Sequence, residues 1–192
     1  GLNAREAYAK LLDEVKFDWV RLSFFWDGHT KSGQLNLEEL EFAIEEANKR
    51  DIKVIIALGA KTPYYPEFKW PKEVSSQVKF GETIDKNHLV AGKMLEIDRK
   101  VVAQLSGFEN IVFWQIENEP FLASINNWKI DVSLLEEEIK VVRQTDPLKR
   151  PIILNHVGPA TFDTRWKKLL DILLPQDVLG VNAYFKTQGV DL

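Results

Sequence analysis

What most constrains this chain is a regular alternation. Short apolar β-rich runs, WVRLSFFW at 19–26, IKVIIAL at 52–58, IVFWQIENEP at 111–120, PIILN at 151–155 and VLGVNAYF at 178–185, are separated by stretches of helical periodicity. Apolar residues recur every three or four positions in Ala4–Val15 (Ala4, Ala7, Tyr8, Leu11, Leu12, Val15), after Asn36 (Leu37, Leu40, Ile44, Ala47), over His88–Leu105 (Val90, Met94, Ile97, Val101, Leu105), from Ser133 to Val142, and around Trp166–Leu173. That spacing puts one apolar face on each helix. A helix, four strand–helix units and a fifth strand form a βα pattern around a parallel sheet. The near-continuous run Ile52–Leu58 is how a strand covered on both faces reads.

Helix boundaries are read from caps. Asn3 with Glu6, Asn36 with Glu39 and Ser133 with Glu136 have capping-box spacing. Gly107 suits the end of the third helix and Asp146-Pro147 the end of the fourth. The segment 59–81 is a long loop with Tyr64, Tyr65, Phe68 and Trp70; loops of that length in a compact domain are usually functional.

Two parallel architectures fit the alternation. An open doubly wound sheet would carry a glycine-rich phosphate loop after its first strand, and neither GxGxxG nor a Walker loop occurs. A (β/α)8 barrel builds its site from the C-terminal ends of several strands. Polar and aromatic residues crowd those ends: Trp26 and Asp27, Lys61 and Tyr64, Asn118 and Glu119, Asn155 and His156, Asn182 and Tyr184. The barrel is therefore expected.

Composition narrows the chemistry. With 45% hydrophobic and 28% charged residues and a net charge of −4, the 192-residue chain reads as one globular domain without the basic face of a nucleic-acid binder. No apolar run reaches the roughly 20 residues of a membrane span. The absence of cysteine removes disulfides, thiol nucleophiles and cysteine-bound zinc. His29, His88 and His156 are far apart and lack metal-binding spacing, so no metal or other cofactor is expected.

The stretch IVFWQIENEPF draws the functional reading. An apolar strand that delivers Gln115, Glu117, Asn118 and Glu119 at its end before Pro120 is unusual, because carboxylates are rarely buried unless paired or functional. Asn118-Glu119-Pro120 in this position resembles the acid/base motif of clan A glycoside hydrolases, the cellulase-like retaining (β/α)8-barrel glycosidases. VRLSFFWD resembles that clan's second strand, IKVIIALGAKTPYYP its third strand and loop, and VNAYF its sixth.

The resemblance implies a five-stranded part of a (β/α)8 barrel. The first strand and the seventh and eighth strands, the seventh with the nucleophilic Glu, would fall outside these residues. Residues 1–192 would then form a single incomplete catalytic domain, and Gly1 and Leu192 read as cut ends. It implies retaining hydrolysis of O-glycosidic bonds in a β-linked glycan, with Glu119 as general acid/base, Asn118 on the sugar 2-hydroxyl, Arg21 near the nucleophile and Tyr184 hydrogen-bonded to it. Without the nucleophile the 192-residue chain is expected to be inactive.

Residue chemistry adds Asn155 and His156, where the strand at 151–155 opens, and Trp26, Tyr64, Tyr65, Trp70 and Trp128 as flat surfaces for pyranose rings; Trp26, at a strand end, is the first choice. Glu117 competes with Glu119 as acid. Glu136-Glu137-Glu138 reads as a solvated helix face, and Trp19 and Trp114 as core. A non-catalytic carbohydrate-binding or structural α/β protein is the alternative reading. A carbohydrate partner is expected, and neither nucleic acid nor membrane.

Overall fold

The computed structural model describes residues 3–31, 33–65, 67–158 and 164–182. Five strands, β1 (Trp19–Ser23), β2 (Lys53–Leu58), β3 (Ile111–Ile116), β4 (Ile152–Val157) and β5 (Val178–Asn182), form one parallel sheet in sequence order. A doubly wound sheet would reverse its strand order at a switch point. This one does not, so it is an arc of a (β/α)8 barrel. The register pairs Arg21 with Ile55, Ile55 with Phe113, Gln115 with Ile153 and Asn155 with Gly180.

The helices are α1 (Ala4–Val15), α2 (Glu38–Asn48), α3 (Ala91–Leu105), α4 (Val132–Thr145) and α5 (Thr164–Ile172). Strand alternation sends Val54, Ile56, Trp114, Ile116, Ile152 and Leu154 into the helix layer, where they are buried with Ile44, Val101, Leu105, Leu135 and Val142. Each such side chain contributes about 1.5–3 kcal/mol when fully buried. The other face carries Trp19, Arg21, Ile55 and Phe113, all partly or well exposed. Trp19 is 43% exposed, which corrects its expected place in the core, whereas Trp114 is sealed and its Nε1–H donates to Asp146 Oδ2 at 3.0 Å.

The caps match in part. Asn3 and Glu6 close a capping box on α1, but of that helix only Leu12 is buried, because α1 packs chiefly on α2, tied there by Arg5–Glu39 and Arg50–Asp13 pairs. Asn36 accepts the Glu38 N–H one residue outside the cap position. Asp131, not Ser133, caps α4, accepting the Ser133 N–H at 2.9 Å. Gly107 does not take the left-handed conformation of a C-cap. Within 59–81, Lys61 bridges to Phe68 and Lys72–Ser75 forms one helical turn.

Candidate active site

The C-terminal ends of the strands carry one connected set of side chains. Arg21 Nη1 donates to Gln115 Oε1 at 3.2 Å, and Gln115 Nε2 reaches Asn155 Oδ1 at 3.4 Å. Asn155 is the hub. Its Oδ1 accepts the Glu119 N–H at 3.0 Å, and its Nδ2 donates to Asn118 Oδ1 at 2.9 Å and to Asn182 Oδ1 at 3.2 Å. Asn182 Nδ2 donates to Glu119 Oε1 at 2.8 Å. Asn155 uses both its oxygen and its nitrogen, so one amide fixes the orientation of the others.

The turn after β3 decides which carboxylate goes where. In a regular strand, residues 117 and 119 would share a face. Here Glu117 and Glu119 both have φ of 49°, the left-handed region that non-glycine residues avoid. Two such residues separated by Asn118 break the alternation and send the carboxylates apart. Glu119, 3% exposed, joins the polar network. Glu117 turns into the helix layer, fully buried, with Oε1 on the Ala60 N–H at 2.8 Å and Oε2 on the Lys61 N–H at 2.6 Å. Burial pushes its carboxyl up to about 7, with the two amides pulling the other way.

Lys61, three residues past the end of β2, is buried beneath this turn. Its Nζ donates to the Glu119 carbonyl at 2.7 Å and lies 3.3 Å from the Glu67 carboxylate. Burial pulls its ammonium below the usual lysine range, against the opposing effect of Glu67.

Over the network lies an open cleft of about 510 Å³, lined by Arg21, Pro63, Tyr64, Tyr65, Glu67, Asn118, Val181 and Asn182. Tyr64 and Tyr65 are 62% and 78% exposed, so two rings of the long loop face this space. Of the residues expected from sequence, Arg21, Asn118, Glu119 and Asn155 are brought together; Tyr184 lies outside the described residues. Four are placed elsewhere. His156 follows Asn155 in β4 and so faces the opposite way, buried among Phe121 and Trp166 with ring centroids 6.2 and 5.9 Å away. Trp26 lies three residues past the end of β1, buried, against a separate groove with Val74, Lys93 and Ile97. Trp70 and Trp128 are buried edge to face, their centroids 5.1 Å apart, and serve as packing.

Sequence reasoning underrated Lys61, Gln115 and Asn182. All three were visible as polar residues within or just after apolar runs; what was invisible is that each completes another strand's site. It also misplaced Glu138, which is fully buried. The signal was present: Glu138 stands four residues after Leu134 and three after Leu135, on the apolar stripe of α4.

Comparison with known proteins agrees with this fold. No curated protein matches the chain significantly. Among solved structures, the GH42 β-galactosidase Gan42B from G. stearothermophilus (catalytic mutant E323A) aligns over 96% of this chain and 38% of its own, at 14% identity and a TM-score of 0.69. The β-galactosidase of the psychrophilic Marinomonas ef1 aligns over 93% and 38%, at 13% identity and a TM-score of 0.67. Thermotoga maritima Cel5A, solved in complex with cellobiose, aligns over 93% and 53%, at 19% identity and a TM-score of 0.57. The chain thus spans between 38% and 53% of the length of these three. At such identities they establish a shared fold, the (β/α)8 arc. The family model for cellulase, glycosyl hydrolase family 5, matches residues 3–177, and the chain belongs to that family.

Proposed function

We propose that this chain is the part of a retaining O-glycosidase that carries the general acid/base, acting on a β-linked glycan, with residues 1–192 forming a single incomplete catalytic domain. The observation that carries the reading is the Asn155-centred network, which fixes both the backbone and one carboxyl oxygen of Glu119 behind an open, aromatic-edged cleft. Glu119 Oε1 accepts from the Asn182 amide, so the proton given to the leaving oxygen is carried on Oε2. A positioned acid of this kind contributes about 10²–10⁴-fold to rate.

Asn118, on the cleft wall and oriented by Asn155, is suited to the sugar 2-hydroxyl, a contact that strengthens as the oxocarbenium-like transition state forms. Arg21 lends positive charge to the cleft. Tyr64 and Tyr65 offer ring faces to pyranose C–H groups. Retention needs a second carboxylate about 5–5.5 Å from the first, and the resemblance assigns it to a seventh strand together with its Tyr184 partner.

The test is Glu119→Gln in the longer protein that contains a seventh strand. Turnover of an unactivated β-glycoside should fall about 10³-fold while the affinity for a β-linked oligosaccharide is kept. Unchanged turnover would overturn the assignment. Oligosaccharide binding by that protein with no turnover before mutation would favour the non-catalytic carbohydrate-binding alternative.

A further inference from the structure

Behind the cleft, on the helix side of β3, three carboxyls meet. Asp98 on α3, Glu117 after β3 and Glu138 on α4 are all fully buried. Glu117 has two amide donors, from Ala60 and Lys61. The carboxyl oxygens of Asp98 and Glu138 receive no donor with hydrogen-bond geometry, and the Gly59 N–H favours the Asp98 anion only at longer range. The Lys61 ammonium favours the Glu117 anion, but it is already engaged by the Glu119 carbonyl and Glu67.

Three carboxylates cannot all ionise here. Burial and mutual repulsion push Asp98 and Glu138 well above the usual carboxyl range, whereas the two amides hold Glu117 lower. The arrangement that satisfies the most groups has Glu117 ionised and the other two protonated. The Glu138 hydroxyl then donates to Glu117, whose 2.6 Å bond from Lys61 is the short kind expected of a charged acceptor.

Lys61 links this cluster to the candidate acid/base. Its N–H goes to the Glu117 carboxylate, its carbonyl accepts the Asn118 N–H at 2.7 Å, and its Nζ binds the Glu119 carbonyl. One residue is thus fastened to three successive residues of the neighbouring strand end, two of them in the left-handed region. Strained backbone of that kind persists only where its surroundings hold it. Gly59 seals the arrangement: its φ is 98°, and an added Cβ would fall well inside contact distance of the Glu117 carboxyl.

We propose that Glu117 is a positioning residue for Glu119, acting through Lys61. The protonated Glu138 holds the Glu117 carboxylate against the amides of residues 60 and 61, and Lys61 passes that placement to Asn118 and Glu119. The catalytic consequence rests on the reading of Glu119 as acid/base; the geometric claim does not.

Residue-resolved amide hydrogen exchange tests it without substrate. In Glu117→Gln, one of the two amide donors faces an NH2 group in place of an acceptor. Protection at Ala60 or Lys61 should fall about tenfold or more, and protection at Glu119 should fall with it, while the amides of α1 are unchanged. In Lys61→Met, Glu119 should lose protection while Ala60 keeps it. In Glu138→Gln, whose amide can donate to Glu117 at any pH, protection should be kept, and the Lys61 amide shift should change less than in wild type between about pH 5 and pH 8.

Loss at Ala60 and Lys61 with Glu119 untouched in Glu117→Gln would overturn the proposal. Should Glu117→Gln fail to fold, a wild-type titration decides. A shared midpoint for the Lys61 and Glu119 amide shifts, lost at Glu119 in Lys61→Met, supports it; separate midpoints overturn it. Turnover retained in Glu119→Gln would remove the catalytic assignment and leave these outcomes standing, so the two readings fail separately.

Discussion

Glu117 and Glu119 are the same residue type, two positions apart, with the same backbone φ, and they do opposite things. Glu119 enters a network of amide side chains under a cleft wide enough for a sugar. Glu117 enters a sealed layer among Asp98 and Glu138. The sealed carboxyl is raised to about 7, a value a general acid would suit. It is also the one with both oxygens committed to backbone amides and no route to solvent. A shifted carboxyl is therefore not enough to mark the acid; the proposed role of Glu119 rests on its place under the cleft and its uncommitted oxygen.

A third carboxylate sharpens the contrast. Asp146 is as buried as Glu117 but has its own cation, Arg150, at 2.7 Å, together with the Trp114 indole N–H at 3.0 Å. Arg150→Met should strand that charge and cost about 3–5 kcal/mol, read as a fall in unfolding free energy by denaturant titration. A change below 1 kcal/mol would show that the Arg150 contact is not what holds the Asp146 side of the comparison. Next in size, Gly59→Ala should cost about 3 kcal/mol from its positive φ and its collision with Glu117. A neutral Gly59→Ala would show that the Glu117 side of the comparison is loosely held.

The pH dependence follows from the sign of the shifts. Asp98, Glu117 and Glu138 are all raised in the folded state. Below the ordinary carboxyl pKa both folded and unfolded chains are protonated, and nothing is lost. As pH rises, the unfolded chain releases these protons first. Stability should fall by about 1.4 kcal/mol per pH unit for each such group until it titrates in the folded state. Glu138→Gln should therefore gain on wild type between about pH 5 and pH 8 by that slope; parallel stability curves would contradict the protonated assignment. Smallest of all, Tyr64→Ala and Tyr65→Ala should change stability by less than about 0.5 kcal/mol. They should weaken oligosaccharide binding about three- to tenfold, since an aromatic contact is worth about 0.5–1.5 kcal/mol; unchanged titration calorimetry would remove them from the cleft's function.

The sequence made the scaffold legible because burial is written in it: a near-continuous apolar run along β2, periods three and four along α3 and α4. The strand-end residues were legible as a set, since Arg21, Asn118, Glu119 and Asn155 each follow or interrupt an apolar run. The division of labour between Glu117 and Glu119 was not. It depends on two non-glycine residues with positive φ, and nothing in their side chains announces that conformation. Asn155 and His156 show the reverse case: simple alternation assigns one inward and one outward, and taking both as site residues ignored it. Trp26 falls outside the site because β1 ends at Ser23, short of the aromatic run that follows it in sequence. Asp98 and Glu138 were hidden by charge, although each occupies a core position of its helix.

The most direct measurement of the central claim is the leaving-group dependence of hydrolysis in Glu119→Ala and Glu117→Gln forms of the longer protein. If Glu119 gives the proton, Glu119→Ala should lose about 10³-fold with a poor leaving group, and far less with dinitrophenolate, which needs no protonation. Added azide should then restore turnover by attacking the glycosyl-enzyme. Glu117→Gln, acting through position alone, should lose activity to a similar extent with both leaving groups and show no azide rescue. Leaving-group dependence and azide rescue in the Glu117 substitution and not in the Glu119 one would contradict the account.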